Sequence, residues 1–230
     1  MIVSHQKSPK KTVIAYKKHS LAIRWTHWIN FPLLSLMIIS GFMIYWANRI
    51  YTPFIPDSWY SQLGLSQQLS LGMGIHFFFM WFFALNGLVY VVYLIVSGEW
   101  RQIVPSINSF KDAVLVMAHD LGIRKSLPSQ TKFNGAQKIA YSSVTLIGLV
   151  QVLTGLSIYK PVQFQTLMAF FGGYEGARLV HFIMTMALCL FFFIHIFQVL
   201  RTGWNNFRAM VTGYEEITNS DVQKSQGIEK

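Results

Sequence analysis

The chain has 230 residues, of which 53% are hydrophobic and only 12% are charged, and its formal net charge is +10. Soluble domains carry about twice that share of charged residues, so this composition indicates a membrane protein. The basic residues lie beside apolar segments, which is typical of membrane topology rather than of nucleic-acid binding, and a single cysteine excludes both a disulfide framework and a thiolate metal site.

A basic tail at residues 1–20 precedes the first of four apolar segments. This tail has no early apolar core, so no cleaved signal peptide is expected. About twenty apolar residues are needed to cross a hydrocarbon core about 30 Å thick. We therefore predict membrane-spanning helices over four ranges: 21–47, 70–96, 137–159 and 177–201. The prediction is an all-α membrane protein in which residues 21–211 form a four-transmembrane-helix bundle and residues 212–230 form a polar tail.

Three connections separate the predicted spans. Residues 48–69 are rich in proline and aromatic residues and are expected to fold onto the membrane surface with aromatic rings at the interface. Residues 97–136 form a long loop between helices 2 and 3. Its segment SFKDAVLVMAHDL predicts a short amphipathic helix over residues 109–121, with Ser109 as the N-cap.

Positive charge is distributed unevenly between the two sides of the predicted spans. The tail before the first span, the 97–136 loop and the segment after the fourth span are basic, whereas the other two connections hold little beyond Arg49, Lys160 and Arg178. Loops rich in lysine and arginine stay in the cytoplasm. We therefore predict that both termini and the long loop are cytoplasmic.

Four histidines lie in the predicted spans, at two depths. His181 and His195 are fourteen residues apart on the fourth span, which corresponds to about 21 Å of rise on one helical face. With cytoplasmic termini, His27 and His195 lie near the inner side of the membrane, and His76 and His181 lie near the outer side. Four independent core histidines would match in depth only occasionally, whereas two bis-histidine haems require this pattern.

We predict that His27 and His195 are the axial ligands of an inner haem, and that His76 and His181 are those of an outer haem. Iron porphyrin suits a dry, apolar, aromatic site with axial histidine nitrogens. The chain has no Cys-x-x-Cys-His motif for covalent attachment, so both haems are expected to be b-type. His119, in the long loop, is expected to be a surface residue.

Two glycines share the face of a ligand histidine but lie at the level of the other haem. Gly41 follows His27 by fourteen residues, and Gly87 follows His76 by eleven. A porphyrin edge needs nearby backbone without a side chain, which glycine provides. Glycine is also common where membrane helices pack, so these positions have two explanations.

An arginine precedes one histidine of each predicted haem site by three residues. Arg24 lies before His27, and Arg178 lies before His181, about one helical turn nearer the membrane surface. This position suits a haem propionate. Snorkelling of arginine at the end of a membrane helix explains it equally well.

The sequence resembles the bacterial b561-type cytochromes in His27 within RWTHW, in His76 and in the pair His181-x13-His195. Within this group it is most similar to the cytochrome b subunits of nickel–iron hydrogenases and formate dehydrogenases, which share an Asn-x-x-Gln-Lys stretch with KFNGAQKIAY, the segment that enters the third span. The resemblance covers residues 17–213. It implies two haems b in a multi-pass protein of the bacterial inner (plasma) membrane.

The resemblance also implies a function. Such subunits anchor a catalytic complex in the lipid bilayer and transfer electrons across the membrane between a partner oxidoreductase and membrane quinone, with no catalytic acid, base or nucleophile of their own. The implied partner is a hydrogenase, formate dehydrogenase or molybdopterin oxidoreductase catalytic subunit, with or without an iron–sulfur or c-type subunit between them. The quinone is expected beside the inner haem, near Arg24, His19 and Lys138.

Two other functions remain open. The small family members that oxidise superoxide with quinone have the same ligand arrangement, although their connections are shorter than the 97–136 loop. The second alternative is a haem-free transporter that uses intramembrane histidines as a proton relay. The predicted spans contain no aspartate or glutamate, which proton pathways typically include, and this weakens the transporter interpretation.

Overall fold

The computed structural model describes residues 13–48, 56–64, 68–120, 122–124 and 133–218. Within these residues the chain forms helices and two short strands. In chain order they are β1 (Val13–Lys17), α1 (Leu21–Asn48), α2 (Asp57–Gln62), α3 (Leu69–Ser97), α4 (Trp100–Ile103), α5 (Ile107–Asp120), α6 (Gly135–Tyr159), α7 (Gln165–Phe170), α8 (Gly173–Thr202), α9 (Trp204–Thr212) and β2 (Tyr214–Thr218).

Four of these helices, α1, α3, α6 and α8, are long and apolar enough to cross a membrane. The prediction of an all-α membrane fold with four spanning helices is therefore confirmed. Each helix includes its predicted span and extends beyond it, most clearly α8, which begins at Gly173 rather than at residue 177. An apolar window marks the part of a helix that crosses hydrocarbon, but not the polar turn around Glu175 that continues the same helix.

A capping box defines the start of α6. The Asn134 side chain accepts a hydrogen bond from the Gln137 amide at 2.8 Å, and the Gln137 side chain accepts one from the Asn134 amide at 3.1 Å. The box satisfies amide groups that the first turn of a helix leaves without partners. It also gives a structural reason for the Asn-x-x-Gln spacing in KFNGAQKIAY.

The amphipathic helix predicted in the long loop is present as α5, but it begins earlier than predicted. α5 starts at Ile107, and Ser109 lies inside its first turn, where its hydroxyl accepts a hydrogen bond from the Ser106 amide at 3.0 Å. The prediction of Ser109 as the N-cap is therefore wrong, because the helix begins two residues before Ser109. Leu121, the predicted end, lies outside the described residues. An added Cβ on Gly135 would overlap the Ser109 carbonyl oxygen, so α5 lies directly against the start of α6.

Part of the connection between α1 and α3 folds back onto the end of α1. The Tyr60 ring stacks on Trp46 with 4.2 Å between centroids, and its hydroxyl donates to the Phe42 carbonyl at 3.1 Å. The Trp46 indole nitrogen donates to the Asp57 carboxylate at 3.0 Å. Burial raises the pKa of Tyr60. Trp59 is 65% exposed, so of these neighbouring aromatic residues one packs against the protein and the other faces outward.

The four long helices pack together within one compact unit, residues 25–195. Tyr45 of α1 stacks on Phe182 of α8 with 4.6 Å between centroids. Gln151 of α6 donates a hydrogen bond to the Thr185 hydroxyl of α8 at 2.6 Å. Close contacts also join α3 to α1 and to α6, namely Gly72 against Met43 and Phe77 against Tyr159.

Both strands belong to a second compact unit, in which residues 13–24 and 196–218 are described. β1 and β2 pair antiparallel, with Tyr16 opposite Glu215. The Lys18 ammonium forms an ion pair with the Glu215 carboxylate at 3.1 Å. This unit therefore joins a segment before α1 to a segment after α9 through backbone and charged contacts.

The strands differ from the sequence prediction, which places a basic tail at residues 1–20 and a polar tail at residues 212–230 and expects no strand in either. Two five-residue strands at opposite ends of the chain give no repeating local pattern, because each is stabilised only by pairing with the other. Residues 1–12 and 219–230 of these tails lie outside the described residues.

Candidate functional site

The structure brings the four intramembrane histidines together in two pairs. His76 of α3 and His181 of α8 have ring centroids 6.3 Å apart, with 69° between the ring planes. His27 of α1 and His195 of α8 have centroids 6.0 Å apart, with 66° between the planes. Since α8 supplies one histidine to each pair, the pairs lie at two levels separated by the fourteen residues between His181 and His195, about 21 Å along the helix.

The spacing within each pair fits one iron atom between two imidazoles. A ring nitrogen lies about 1.1 Å from the ring centre, and an imidazole nitrogen binds a transition metal at about 2 Å, so two axial histidines on one iron have centroids about 6 Å apart. In the described part of the chain, no group of three or more histidine, cysteine, aspartate or glutamate side chains could hold a metal ion. Each pair therefore offers two nitrogens, the donor set of a bis-histidine haem.

Two buried hydroxyl groups hold the His76/His181 pair. The Ser40 Oγ lies 3.0 Å from the His76 Nδ1, and the Thr154 Oγ1 lies 2.9 Å from the His181 Nδ1. Neither Ser40 nor Thr154 was predicted from the sequence as a site residue. The available signal was their shared context, since each is a hydroxyl residue directly before a glycine within a predicted span.

The glycines that follow these hydroxyl residues lie against the same two rings. An added Cβ on Gly41 would meet the His76 Cε1 at 3.6 Å, and one on Gly155 would meet the His181 Cε1 at 3.4 Å. Gly41, a predicted clearance residue, therefore lies at the His76 level, as its spacing from His27 requires, whereas Gly155 was missed. An added Cβ on Gly87, the other predicted clearance residue, would meet no described atom within 4 Å.

The His27/His195 pair has aromatic rather than hydroxyl neighbours. Phe191 lies parallel to His195, with 6° between the planes and 5.9 Å between centroids, and Trp28 meets His27 edge-on at 5.3 Å. Among the described residues, no hydroxyl group is hydrogen-bonded to a ring nitrogen of either histidine. The two pairs therefore have similar ring spacing but different surroundings.

The arginines predicted as propionate partners already have protein partners. The Arg24 guanidinium donates to the Val211 carbonyl. The Arg178 guanidinium forms an ion pair with Glu175 at 3.2 Å, one turn away on α8, and lies 5.6 Å from the Tyr174 ring centre. These contacts give both arginines a structural role that needs no cofactor.

The model of the prokaryotic cytochrome b561 family matches residues 18–213. The chain belongs to this family. The b561 relatives include one from Azospira oryzae named "Putative protein-methionine-sulfoxide reductase subunit YedZ1", which is 34% identical over 185 residues, covering 80% of this chain and 90% of the relative.

As a member of the b561 family, the chain is a multi-pass membrane cytochrome that binds haem b and transfers electrons. The predicted b561 resemblance is therefore confirmed. The matches do not single out the hydrogenase and formate dehydrogenase subunits to which the sequence analysis gave the closest likeness.

Proposed function

We propose that this cytochrome carries electrons between membrane quinone and the catalytic subunit of a separate reductase through two haems b. The observation that supports this is the two-level arrangement of histidine pairs, each spaced for one iron and both sharing α8. Haem b, when bound, supplies a one-electron couple at each level. His27 and His195 hold one haem and His76 and His181 hold the other, while apolar spans exclude water.

The two levels suit electron transfer across the membrane rather than a reaction at one membrane surface. The histidines of α8 are separated by about 21 Å of helix, and the hydrocarbon core is about 30 Å thick. Each pair therefore lies within reach of one membrane surface. The chain needs no acid, base or nucleophile for this role, because the partner performs the substrate chemistry and the cytochrome positions its haems.

The partner is proposed from the relative whose name describes a protein-methionine-sulfoxide reductase subunit, because the match covers most of both chains. By this proposal electrons pass from quinol through the haems to a reductase, whose substrate is oxidised methionine in proteins. A hydrogenase, formate dehydrogenase or other molybdopterin oxidoreductase is the second candidate, and with hydrogen or formate as donor the electrons would run toward quinone. The stand-alone superoxide function gains no support from a relative named as a subunit.

We expect a tagged copy of the chain to copurify with a separate catalytic subunit, and the complex to transfer electrons from quinol to methionine sulfoxide. After reduction of the haems by a short-chain quinol, addition of a protein with oxidised methionines should reoxidise them, as followed by haem absorbance. The same protein with unoxidised methionines is the matched control and should leave the haems reduced.

Three results would contradict this partner. Haem reduction by hydrogen or by formate would indicate the second candidate. Reduction by superoxide with no copurifying subunit would indicate the stand-alone function. Equal reoxidation by oxidised and unoxidised protein would show that methionine sulfoxide is not the electron acceptor.

The orientation is proposed from charge. The long loop carries Arg101, Lys111 and Arg124, and basic residues also flank α1 and α8 on the same side of the predicted membrane. We expect both termini in the cytoplasm of a bacterial cell and the protein in the inner membrane, with His27/His195 on the inner side. Reporter fusions after Arg124 and Arg208 should read cytoplasmic, and one near Trp59 should read external. An external signal at Arg124 would instead place the His27/His195 pair on the outer side and the His76/His181 pair on the inner side.

A further inference from the structure

We infer that Ser40 and Thr154 are positioning residues for the haem between His76 and His181, and that their hydroxyls lower the reduction potential of this haem selectively. This inference rests on the proposed function, in which that pair binds a haem. It concerns the hydroxyl–glycine pairs, defined as Ser40 with Gly41 on α1 and Thr154 with Gly155 on α6.

Iron binding through Nε2 sets the direction of each contact. The Ser40 hydroxyl donates to the Leu36 carbonyl at 2.6 Å, and the Thr154 hydroxyl donates to the Val150 carbonyl at 2.7 Å. A hydroxyl has one hydrogen, and with that hydrogen on the carbonyl each oxygen accepts from a histidine Nδ1 that carries its proton, as iron binding through Nε2 requires. These nitrogens lie 3.0 Å and 2.9 Å from the hydroxyl oxygens.

This direction corresponds to one tautomer of both histidines. Each Nδ1 therefore carries the proton, and each Nε2 presents its lone pair. A hydrogen bond from the second ring nitrogen of a ligand histidine fixes the orientation of the ring and increases the basicity of the metal-binding nitrogen.

Burial makes these contacts persistent. Ser40 is 1% exposed and Thr154 is 0% exposed, so water cannot replace either acceptor. A hydroxyl in a membrane helix often bonds to its own backbone, and Ser157 does so at 2.9 Å to the Leu153 carbonyl while also 0% exposed. What distinguishes Ser40 and Thr154 from Ser157 is the second contact, to a histidine on another helix.

The glycines complete the same arrangement on both sides of the site. A Cβ added to Gly41 or Gly155 would come into van der Waals contact with the Cε1 edge of the ring whose Nδ1 is held by the preceding hydroxyl. α1 thus positions the histidine of α3, and α6 positions the histidine of α8. Two different helices present the same hydroxyl–glycine sequence to the two histidines of one pair, which general helix packing does not require.

The His27/His195 pair serves as an internal reference, because the described structure gives its rings no hydroxyl partner. A more basic axial nitrogen stabilises ferric over ferrous iron and lowers the potential of that haem. Removing the hydroxyls should therefore raise the potential of one haem only. This selectivity distinguishes a role at the ligand from general damage to the fold.

The test compares redox titrations of the full chain in membranes before and after the substitutions Ser40→Ala and Thr154→Val. Each should raise the ferrous-to-ferric ratio of the His76/His181 haem at a fixed ambient potential by up to about tenfold, which is about 59 mV for a one-electron couple. The His27/His195 haem should keep its potential. Ser157→Ala, the matched control on α6, should change neither haem, and Thr154→Ser should preserve the original potential.

Haem content, measured on the same samples, distinguishes a change of potential from loss of a haem. Loss of the His76/His181 haem alone in a variant that combines Ser40→Ala with Thr154→Val, with Thr154→Ser retaining it, would support the positioning role. Equal shifts of both haems, no shift of either, or the same shift in Ser157→Ala would overturn it while leaving the proposed function intact. An unaltered chain without haem would instead refute the proposed function.

Discussion

The two haems b should give two spectral components. Replacement of His76 by alanine and replacement of His181 by alanine should each abolish the same component and leave the other in place. The physical reason is reach. An axial nitrogen binds its metal at about 2 Å, and the next histidine on α8 lies about 21 Å along the helix, so it cannot substitute for the lost ligand. Low-temperature visible spectra with redox titration of each variant provide the measurement.

The reciprocal variants His27→Ala and His195→Ala should abolish the other component. His119→Ala is the control, because His119 lies on α5 outside the four spanning helices and should leave both components unchanged. The two-level account would be wrong if His76→Ala and His195→Ala abolished one component while His181→Ala abolished the other.

Double substitutions should separate the pairs even more sharply, because the two combinations of lost histidines leave different haem contents. His76→Ala with His181→Ala removes both ligands of one haem and should leave about half of the original haem content. His76→Ala with His195→Ala also removes two histidines, but one from each pair, and should leave almost none. The measurement is the number of haems per chain, in membranes that contain equal amounts of each variant. Equal haem content in the two double variants would contradict the pairing.

The spans and the histidine pairs were the parts of the structure most open to prediction. An apolar run of about twenty residues has few alternatives to a membrane helix, because in lipid a single segment satisfies all its backbone groups by itself only as a helix. Once the spans and their orientation were set, the positions of His27, His76, His181 and His195 along the chain also set their depths. The structure brings together the same partners that depth alone had matched.

The contacts around the rings were not predictable in the same way. Whether Ser40 faces His76 depends on the rotation and crossing of two helices, and neither apolar content nor helical period specifies these. A buried serine also has a local explanation, since it can bond to its own backbone as Ser157 does. The contacts of the hydroxyl–glycine pairs with the histidines become visible only when helices from distant parts of the chain are placed side by side.

The arginines remain predicted propionate partners, and the structure adds protein contacts that the sequence pattern did not indicate. Arg24 and Arg178 have the spacing expected of propionate partners. In the structure Arg178 bonds to Glu175 on its own helix, and Arg24 bonds to the backbone at Val211. The sequence spacing between an arginine and a histidine does not reveal such partners, particularly Val211, which lies 187 residues after Arg24.

Each chain should hold two haems, and a pyridine haemochrome assay on the purified protein measures this number. Two histidine pairs with centroids 6.0 Å and 6.3 Å apart predict two haems b per chain, released without covalent attachment to the protein. Quantitative amino-acid analysis of the same sample gives the chain concentration. A ratio of about two supports the account, and a ratio of one or zero in protein purified with haem in excess would contradict it.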